Sequence, residues 1–135
     1  MPARPPAHLS LGARGEATAA RFLERAGLTV LERNWRWKQW ELDMVCREGD
    51  TLVFVEVKTR GPGSLAAPAE AVDGRKQAKL GKAAAQYLSK NKLWDSPCRF
   101  DVVCVRVGDG GEEIEHVRDA FSPALGGGHA AWQPW

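Results

Sequence analysis

Hydrophobic residues recur along this chain with two different periods, and each period predicts its own kind of element. Apolar or small residues at spacings of three and four predict a helix over residues 11–26, which Ser10 would cap and Gly27 would close. A second helix is predicted over residues 69–91. Runs rich in β-branched and aromatic residues predict four strands, over residues 29–37, 40–47, 51–59 and 98–107, and residues 113–117 have the pattern of a short fifth strand.

The order α-β-β-β-α-β predicts an α/β fold, with a single mixed β-sheet flanked by helices. A helix must cross over between the third and fourth strands, because parallel neighbours cannot be joined by a tight turn. Residues 10–121 would form one domain between flexible tails at residues 1–9 and 122–135. The first helix would bury one stripe against the sheet, made of Leu11, Gly15, Ala19, Phe22 and Ala26.

Composition limits the class of protein. At 135 residues, with 44% hydrophobic and 27% charged residues, the chain has the size and balance of one globular domain. The formal net charge of +2 is too small to argue for nucleic-acid binding by itself. The sequence lacks an apolar run of ~18 residues and a signal-peptide core, so we expect a cytoplasmic protein with no membrane partner.

The three cysteines have no C-x-x-C spacing, which argues against the commonest zinc and redox motifs. Their odd number and their positions in strand-like segments predict reduced, buried thiols in a cytosolic protein. A disulfide or a zinc site is the alternative. The three residues are Cys46, Cys98 and Cys104.

Charged residues interrupt the most strand-like part of the sequence, namely Glu41, Asp43, Glu56 and Lys58. If residues 49 and 50 form the centre of a tight turn, residues whose numbers add to 99 face each other across the hairpin. Asp43 then faces Glu56, and Glu41 faces Lys58, on one side of the sheet with Cβ atoms ~5 Å apart. A three-residue turn would shift this register by one and separate them.

Two carboxylates at this distance repel one another, and a divalent cation removes the conflict. Mg²⁺ (or Mn²⁺) is typically held by one or two carboxylates, so Asp43 and Glu56 are a suitable ligand pair. Lys58 would supply positive charge to a water or phosphate oxygen there, a set that fits metal-assisted phosphodiester hydrolysis. The alternative is a cross-strand salt-bridge ladder on a solvated face, with Lys58 pairing Glu41. Apolar residues on both faces of the third strand favour the metal site.

The second helix carries basic residues on one side and no acidic residue between positions 75 and 92. Such a stripe is either a solvated helix face or a surface that follows the phosphates of nucleic acid. Leu80, Ala84, Tyr87 and Leu88 lie on another side of the helix and would face the sheet. The candidate nucleic-acid-binding residues are Arg75, Lys76, Lys79, Lys82 and Lys90 on this helix, with Arg36, Lys38 and Arg60 as extensions.

Other residues with chemical potential have simpler interpretations. Trp35 and Trp37 share one face of the first strand, and core packing is favoured over base stacking for them. Arg99 and Asp101 share a face of the fourth strand and are expected to pair near the site. His116 and His129 have no partner at metal-ligand spacing and are interpreted as structural or incidental.

The ordered set of motifs resembles the PD-(D/E)XK nuclease superfamily, whose fold is restriction-endonuclease-like. In that superfamily an acid on one strand is followed by (D/E)-x-K on the next, as Asp43 is followed here by Glu56-Val57-Lys58. More narrowly, the chain resembles the YraN-like family of small bacterial proteins predicted to be endonucleases. The resemblance covers about residues 12–121 and rests on Gly12-x-x-Gly15-Glu16-x-x-Ala19, Arg33-Asn34, Glu41-Leu42-Asp43, Val53-Phe54-Val55-Glu56-Val57-Lys58-x-Arg60, Lys76 and Arg99-Phe100-Asp101.

The resemblance implies roles for individual residues. Asp43 and Glu56 would be metal ligands, with the Val57 carbonyl as a third, and Lys58 would orient the attacking water or stabilise the transition state. Glu16 matches the first-helix acid that helps complete the metal site in archaeal Holliday-junction resolvases of this superfamily.

Two positions carry a second interpretation. From the residues alone, Glu16 lies at the edge of the buried stripe beside Leu23, or is an ordinary first-turn acid favoured by the helix dipole. Trp40 stands where the family usually has glycine, which bears on activity rather than on fold.

The sequence thus predicts a Mg²⁺- or Mn²⁺-dependent nuclease that acts on DNA, with branched or damaged DNA as the expected substrate. A non-catalytic nucleic-acid-binding module of the same fold and a protein-interaction scaffold are the alternatives. A homodimer is left open. The predicted catalytic set is Asp43, Glu56, Lys58, Glu41 and Glu16.

Overall fold

A computed structural model of the protein describes residues 10–62 and 72–124. The predicted order α-β-β-β-α-β is confirmed in this part of the chain, with a long fifth strand added. The elements are α1 (Leu11–Arg25), β1 (Thr29–Trp37), β2 (Trp40–Glu48), β3 (Thr51–Arg60), α2 (Gly74–Lys90), β4 (Cys98–Gly108) and β5 (Gly111–Phe121).

The five strands form one mixed sheet in the order β1-β2-β3-β4-β5. Every neighbouring pair is antiparallel except β3 and β4, which are parallel. The chain segment between β3 and β4 contains α2, so this helix belongs to the crossover that a parallel pair requires. The α/β class and the single mixed sheet are therefore confirmed.

Each helix covers one face of the sheet, and the two faces have separate cores. Even-numbered residues of β3 and β4, such as Phe54 and Phe100, pack with α2, where Tyr87 is buried. Odd-numbered residues, such as Val55 and Val103, pack with α1. Successive side chains of a strand point to opposite faces of the sheet. In β3 and β4, even-numbered side chains therefore face α2 and odd-numbered side chains face α1.

The first helix begins as predicted, because the Ser10 hydroxyl accepts a hydrogen bond from the Ala13 N–H at 3.1 Å. Its buried side differs from the expected stripe: Leu11 is 43% exposed and Ala26 is exposed. Leu23 is fully buried instead. The reason is tertiary, since the helix turns Gly15, Thr18, Ala19, Ala20 and Leu23 toward the sheet.

The second helix begins later than predicted. Asp73 has an extended backbone and its carboxylate accepts the Lys76 N–H at 2.9 Å, which makes it the N-cap of a helix that starts at Gly74. Residues 69–71 of the predicted helix lie outside the described part. Leu80, Ala84, Tyr87 and Leu88 are buried, as expected of the face toward the sheet.

The last strand is longer than the predicted residues 113–117. Its polar sequence has little strand character of its own, but the hydrogen bonds to β4 hold it in a strand from Gly111 to Phe121. β5 pairs with β4 from Gly108–Gly111 to Phe100–Phe121. After it, Pro123 and Ala124 pack against Gly81 of α2, where an added Cβ would come within 2.3 Å of the Ala124 carbonyl oxygen. The packed part of the chain thus includes residues beyond 121.

The cysteines have the predicted state: all three are buried and free. Burial raises the pKa of Cys46 and Cys98 to about 12, so these thiols stay protonated. Neither α1 nor α2 combines the length and the hydropathy that a bilayer-spanning helix needs.

Candidate active site

The site depends on the hairpin of β2 and β3, whose predicted register is confirmed near the turn. Glu48 pairs with Thr51, and the pairing continues to Met44 and Val55. Gly49 has a φ of +60°, as the first central residue of a type II′ turn requires. Beyond Met44 the two strands are no longer paired, so the hairpin opens at the acidic positions.

A local irregularity in β1 and β2 accompanies this opening. Leu42 packs on the α2 side of the sheet and Met44 on the α1 side, although residues two apart normally share a face. In β1, Asn34 lies between the residues that pair with these two, and it has a left-handed φ of +53°. Asp43 is therefore located where β2 changes side.

Asp43 bridges the opening through its side chain. Its Oδ2 accepts a hydrogen bond from the Val57 backbone N–H at 2.9 Å, which replaces a strand-to-strand bond. The N–H and C=O of one strand residue point to the same neighbouring strand, so the Val57 carbonyl also faces this gap. The sequence places Asp43 and Glu56 opposite one another, and the structure brings their carboxylates together.

Glu56 is 5% exposed and lies on the α2 face. Burial raises its pKa to about 7, and the nearby Asp43 adds to the shift through repulsion and a shared hydrogen bond. Two ammonium groups oppose the shift: the Nζ atoms of Lys58 and Lys76 are each 3.4 Å from Glu56 Oε2. The centre thus contains two carboxylates and two ammonium groups, and the ammonium groups do not outweigh the effect of burial and of Asp43 on the pKa of Glu56.

This donor set fits a small hard cation better than zinc. Among the described residues no group of three or more His, Cys, Asp or Glu side chains is placed to share a metal ion. Zinc sites need three or four such side chains, whereas Mg²⁺ is held by one or two carboxylates and keeps several waters. Asp43, Glu56 and the Val57 carbonyl match the second pattern.

Glu41 does not join this pair in the way predicted. The paired part of β2 and β3 stops before it, so the expected Glu41–Lys58 pair is wrong, and Lys58 forms its ion pair with Glu56. The salt-bridge ladder between Glu41 and Lys58 is excluded for the same reason. Glu41 is exposed and lines an adjacent cleft of about 260 Å³ with Gln39, Trp40, Lys76, Lys79 and Leu80.

Glu16 is half-buried on the sheet-facing side of α1, two turns before the fully buried Leu23. Its neighbour Gly15 touches Thr59, the residue that follows Lys58: an added Cβ would lie 1.9 Å from Thr59 Oγ1. No hydrogen bond or ion pair links Glu16 to the acidic pair in the described part of the structure, and its role stays a prediction.

The predicted basic surface is divided by the structure. Arg75, Lys79 and Lys82 are exposed on α2, whereas Lys76 turns to Glu56. The helical spacing predicts Lys76 on the outer stripe, and the resemblance includes it without a role. Its contact with Glu56 depends on how α2 packs on the sheet, which local spacing does not encode. Arg60 is half-buried at the end of β3 and donates to the Thr59 carbonyl at 3.3 Å.

The two tryptophans of β1 have different environments. Trp35 packs on the α2-side core, edge-to-face against Tyr87, as predicted. Trp37 is 37% exposed, and the Lys90 Nζ lies 3.5 Å from the centroid of its ring. Core packing is therefore the wrong interpretation for Trp37, because β1 ends at this residue and leaves it at the hairpin tip.

Arg99 and Asp101 pair as predicted, but on the other side of the sheet from Glu56. Arg99 donates to both carboxylate oxygens of Asp101, at 3.0 and 3.2 Å, and His116 Nε2 contacts the same carboxylate at 2.8 Å. His116 stacks edge-to-face on Phe22 of α1, which places this group on the α1 face. The expected position near the site is wrong, and the structural interpretation of His116 agrees with these contacts.

Comparison with known proteins identifies relatives across bacteria. A family model described as "Uncharacterised protein family UPF0102" matches residues 15–105. A UPF0102 protein of Nitratidesulfovibrio vulgaris (strain DP4) is 45% identical over 126 residues, which cover 92% of this chain and 94% of the relative. A UPF0102 protein of Rhodococcus opacus (strain B4) is 48% identical over 115 residues, which cover 84% and 98%.

Similarity to solved structures is more distant. SfsA of Pyrococcus furiosus, solved in complex with Ca²⁺, aligns with a TM-score of 0.41 and 14% identity, over 78% of this chain and 63% of that chain. This chain thus spans less than two thirds of that protein. The sequence relatives identify the family: the chain belongs to UPF0102, the YraN-like family that its motifs resemble.

Proposed function

We propose that this protein is a metal-dependent nuclease that hydrolyses DNA phosphodiester bonds at Asp43, Glu56 and Lys58. The observation that supports the proposal is the buried Glu56 carboxylate beside the half-buried Asp43: the pKa of Glu56 is raised to about 7, with two lysine ammonium groups 3.4 Å away. Perturbed acids beside positive groups in a cleft are characteristic of catalytic sites.

Asp43, Glu56 and the Val57 carbonyl would hold Mg²⁺ or Mn²⁺. When bound, the ion would polarise the phosphoryl group and lower the pKa of a bound water. The protein holds the ligands ready: the Val57 N–H fixes the Asp43 carboxylate, and burial fixes Glu56. Glu41, which lines the adjacent cleft, and Glu16, on the helix of the opposite face, are proposed as supporting acids.

Lys58 and Lys76 would act on the substrate rather than on the ion. Both ammonium groups are within reach of the carboxylate pair, so a phosphate that enters the cleft meets donors from β3 and from α2. Charge-assisted hydrogen bonds of this kind stabilise the negative charge that develops during hydrolysis. Lys58 would also orient the attacking water.

DNA is the proposed substrate because the cleft continues into the basic side of α2. Lys76 and Lys79 line the cleft, and Arg75 and Lys82 are exposed nearby on the same helix. Such a surface binds phosphates without regard to base sequence. Branched or damaged DNA is the expected form, in a cytoplasmic setting, and a homodimer is compatible with the proposal.

A second candidate is a nucleic-acid-binding module without turnover. The observation that favours it is Trp40, whose side chain lines the cleft beside Lys76 where a small residue would leave more room. Both candidates require DNA to bind, and only the nuclease requires DNA to be cut.

The test is cleavage of single-stranded, duplex and four-way-junction DNA with and without Mn²⁺. Asp43→Asn and Glu56→Gln should each abolish cleavage, whereas Asp50→Asn, an exposed acid at the opposite end of the hairpin, should not. Cleavage that persists in both site variants would remove the proposal. DNA binding without cleavage by the unaltered protein would favour the module instead.

A further inference from the structure

Arg106 has an unusual environment. Its Nε atom is buried, and no hydrogen-bond partner for it is found among residues 10–62 and 72–124. No ion pair of its guanidinium is found in the described part of the chain either. A buried donor without a partner costs free energy, so each instance in a folded protein calls for an explanation.

The location of Arg106 relates it to the candidate active site. In the parallel pairing of β3 and β4, Lys58 lies beside Cys104 and Arg60 lies beside Arg106. All four residues have even numbers, so their side chains lie on the face that carries Glu56. Arg106 is therefore one strand over from Lys58 and two residues further toward the sheet end.

Arg60 and Arg106 place two positive charges side by side. Like charges on adjacent strands repel, and such pairs are normally balanced by an acid. Arg60 donates only to the carbonyl of its own neighbour Thr59, among the contacts of the described residues. Within the described residues, neither guanidinium group has an acidic partner that would neutralise its charge.

The acids closest along the sheet do not fill this role. Glu113 lies across from Arg106 on β5, and Glu115 lies across from Cys104. Both are exposed, and neither forms an ion pair with Arg106 within the described ranges. Together with Cys104, Ile114 and Arg106 they line a cavity of about 90 Å³, which has room for a few water molecules or a phosphate oxygen but not for a base.

We infer that Arg60 and Arg106 form a second phosphate-binding subsite, for the phosphate adjacent to the one held at Lys58. Two residues along β3 separate Lys58 from Arg60 by about 6.6 Å, which is comparable to the separation of consecutive phosphates along a nucleic-acid strand. The inference rests on the proposed function and adds the path of the strand: the backbone leaves the acidic pair along the ends of β3 and β4. Glu113 and Glu115 would limit this path on the β5 side, because their carboxylates repel the phosphates.

The test compares Arg106→Met with the unaltered protein for binding of a single-stranded oligonucleotide in EDTA. Methionine keeps an unbranched stem and removes the guanidinium. We expect affinity to fall roughly tenfold, as for loss of a hydrogen bond to a charged group. The number of counterions released on binding, measured from the slope of log affinity against log salt concentration, should fall by about one. Arg47→Met, at the other end of the sheet, removes the same charge and should change neither.

Thermal unfolding separates this role from a structural one. Because the variant removes a buried unpaired donor, its melting temperature should stay unchanged or rise, whereas a structural arginine would lower it. Arg106→Lys, which keeps the charge but lacks the Nε–H, should fold and bind with intermediate affinity. Equal DNA affinity of Arg106→Met, Arg106→Lys and the unaltered protein would overturn the inference.

Because binding is measured without metal, the test of the Arg60–Arg106 subsite is independent of the test of cleavage. If the unaltered protein binds DNA but does not cut it with Mn²⁺, the nuclease proposal fails, and the subsite still stands if Arg106→Met binds weakly. If the protein cuts DNA and Arg106→Met cuts and binds equally well, only the subsite fails. If the unaltered protein binds no DNA, the subsite inference is overturned.

Discussion

At the scale of single residues, the main feature is that Asp43 serves both fold and site. Its carboxylate accepts the Val57 N–H where β2 leaves β3, and the same carboxylate is held against Glu56. Two lysines match the two carboxylates in number, but the pKa of Glu56 stays raised because burial and the neighbouring Asp43 outweigh their effect. The buried Glu56 carboxylate costs stability when it is ionised, which is consistent with the proposed metal site.

Glu56→Gln should stabilise the metal-free protein at alkaline pH. The pKa of Glu56 is raised from 4.5 to about 7 in the folded state, chiefly by burial. The unfolded chain therefore loses this proton first, and the stability of the unaltered protein falls as pH rises from 4.5 through 7. Glutamine removes that loss, so chemical denaturation at pH 8 should show a gain of about 3 kcal/mol.

The same comparison at pH 4 supplies the control, because Glu56 is then protonated in both states and the gain should vanish. Asp50→Asn, an exposed acid at the β2–β3 turn, should show no such gain at pH 8. A Glu56→Gln variant less stable than the unaltered protein at pH 8 would contradict the assigned environment.

At the scale of elements, α1 is fitted closely to the strand that carries the site. Gly15 permits this approach, since an added Cβ would meet Thr59 Oγ1 at 1.9 Å and Thr59 Cβ at 2.8 Å. At Gly12, on the same helix, a Cβ would have no atom of the described residues within 4 Å. The helix thus has one glycine required by packing and one that packing does not require.

Gly12→Ala and Gly15→Ala should have opposite effects on stability. Alanine favours a helix over glycine by up to ~1 kcal/mol, so Gly12→Ala should be neutral or stabilising. Gly15→Ala forces the helix away from Thr59 and should cost about 2 kcal/mol, as overpacking commonly does. Urea denaturation of the two variants measures both values, and equal effects would refute the close contact.

A hydrogen-bond network around Asp101 links β4 to β5 and to the turn end of the β2–β3 hairpin. The fully buried Asp101 accepts bonds from Arg99, His116 and the Asp119 N–H, and Arg99 continues to Glu48, 2.6 Å away. Burial alone would raise the pKa of Asp101, but these hydrogen bonds outweigh it and lower the pKa. Hydrogen bonds from Arg118 and Arg99 lower the pKa of Glu48 to about 2.

Asp101→Asn should therefore destabilise the protein at neutral pH, by about 3 kcal/mol if it behaves like other broken buried pairs. The lowered pKa makes this stabilisation complete above the unfolded pKa of ~3.9 and progressively lost as pH falls toward the folded pKa. The difference between variant and unaltered protein should thus shrink below about pH 4. Asp95→Asn, at an exposed position, serves as the matched control in the same denaturation series.

At the scale of the whole molecule, the position of the charges matters more than their sum. The formal net charge is only +2, but the exposed basic side of α2 borders the cleft and α1 lies on the opposite face. Field-guided binding of DNA depends on such local clustering. The two helices therefore provide a matched comparison.

Lys79→Ala with Lys82→Ala should weaken DNA binding, whereas Arg14→Ala with Arg25→Ala should not. Each double variant removes two exposed positive charges, from α2 and from α1 respectively. The α2 variant should lose affinity and reduce the salt dependence by about two counterions. Fluorescence anisotropy across a salt series measures both. Equal losses from the two helices would mean that net charge alone governs binding.

Several features of the fold and of the candidate site are predictable from the sequence, because they depend on the spacing of residues close along the chain. The II′ turn at Gly49 fixes the register of one hairpin, so Asp43 and Glu56 were placed opposite each other from residue counting. The Ser10 cap and the strands around the motif follow from short-range chemistry in the same way. The start of α2 does not follow in this way, because several residues upstream of its N-cap Asp73 are also compatible with a helix.

The sequence by itself determined the order of elements, the hairpin register and the acids of the candidate site, because each depends on residues close along the chain. Only the tertiary structure decided which face each charge occupies across elements. The crossover carries Lys76 to Glu56, the parallel register of β3 and β4 puts Arg106 beside Arg60, and the same sheet moves Asp101 to the α1 side. Contacts of this kind join residues far apart in sequence, and no local period encodes them.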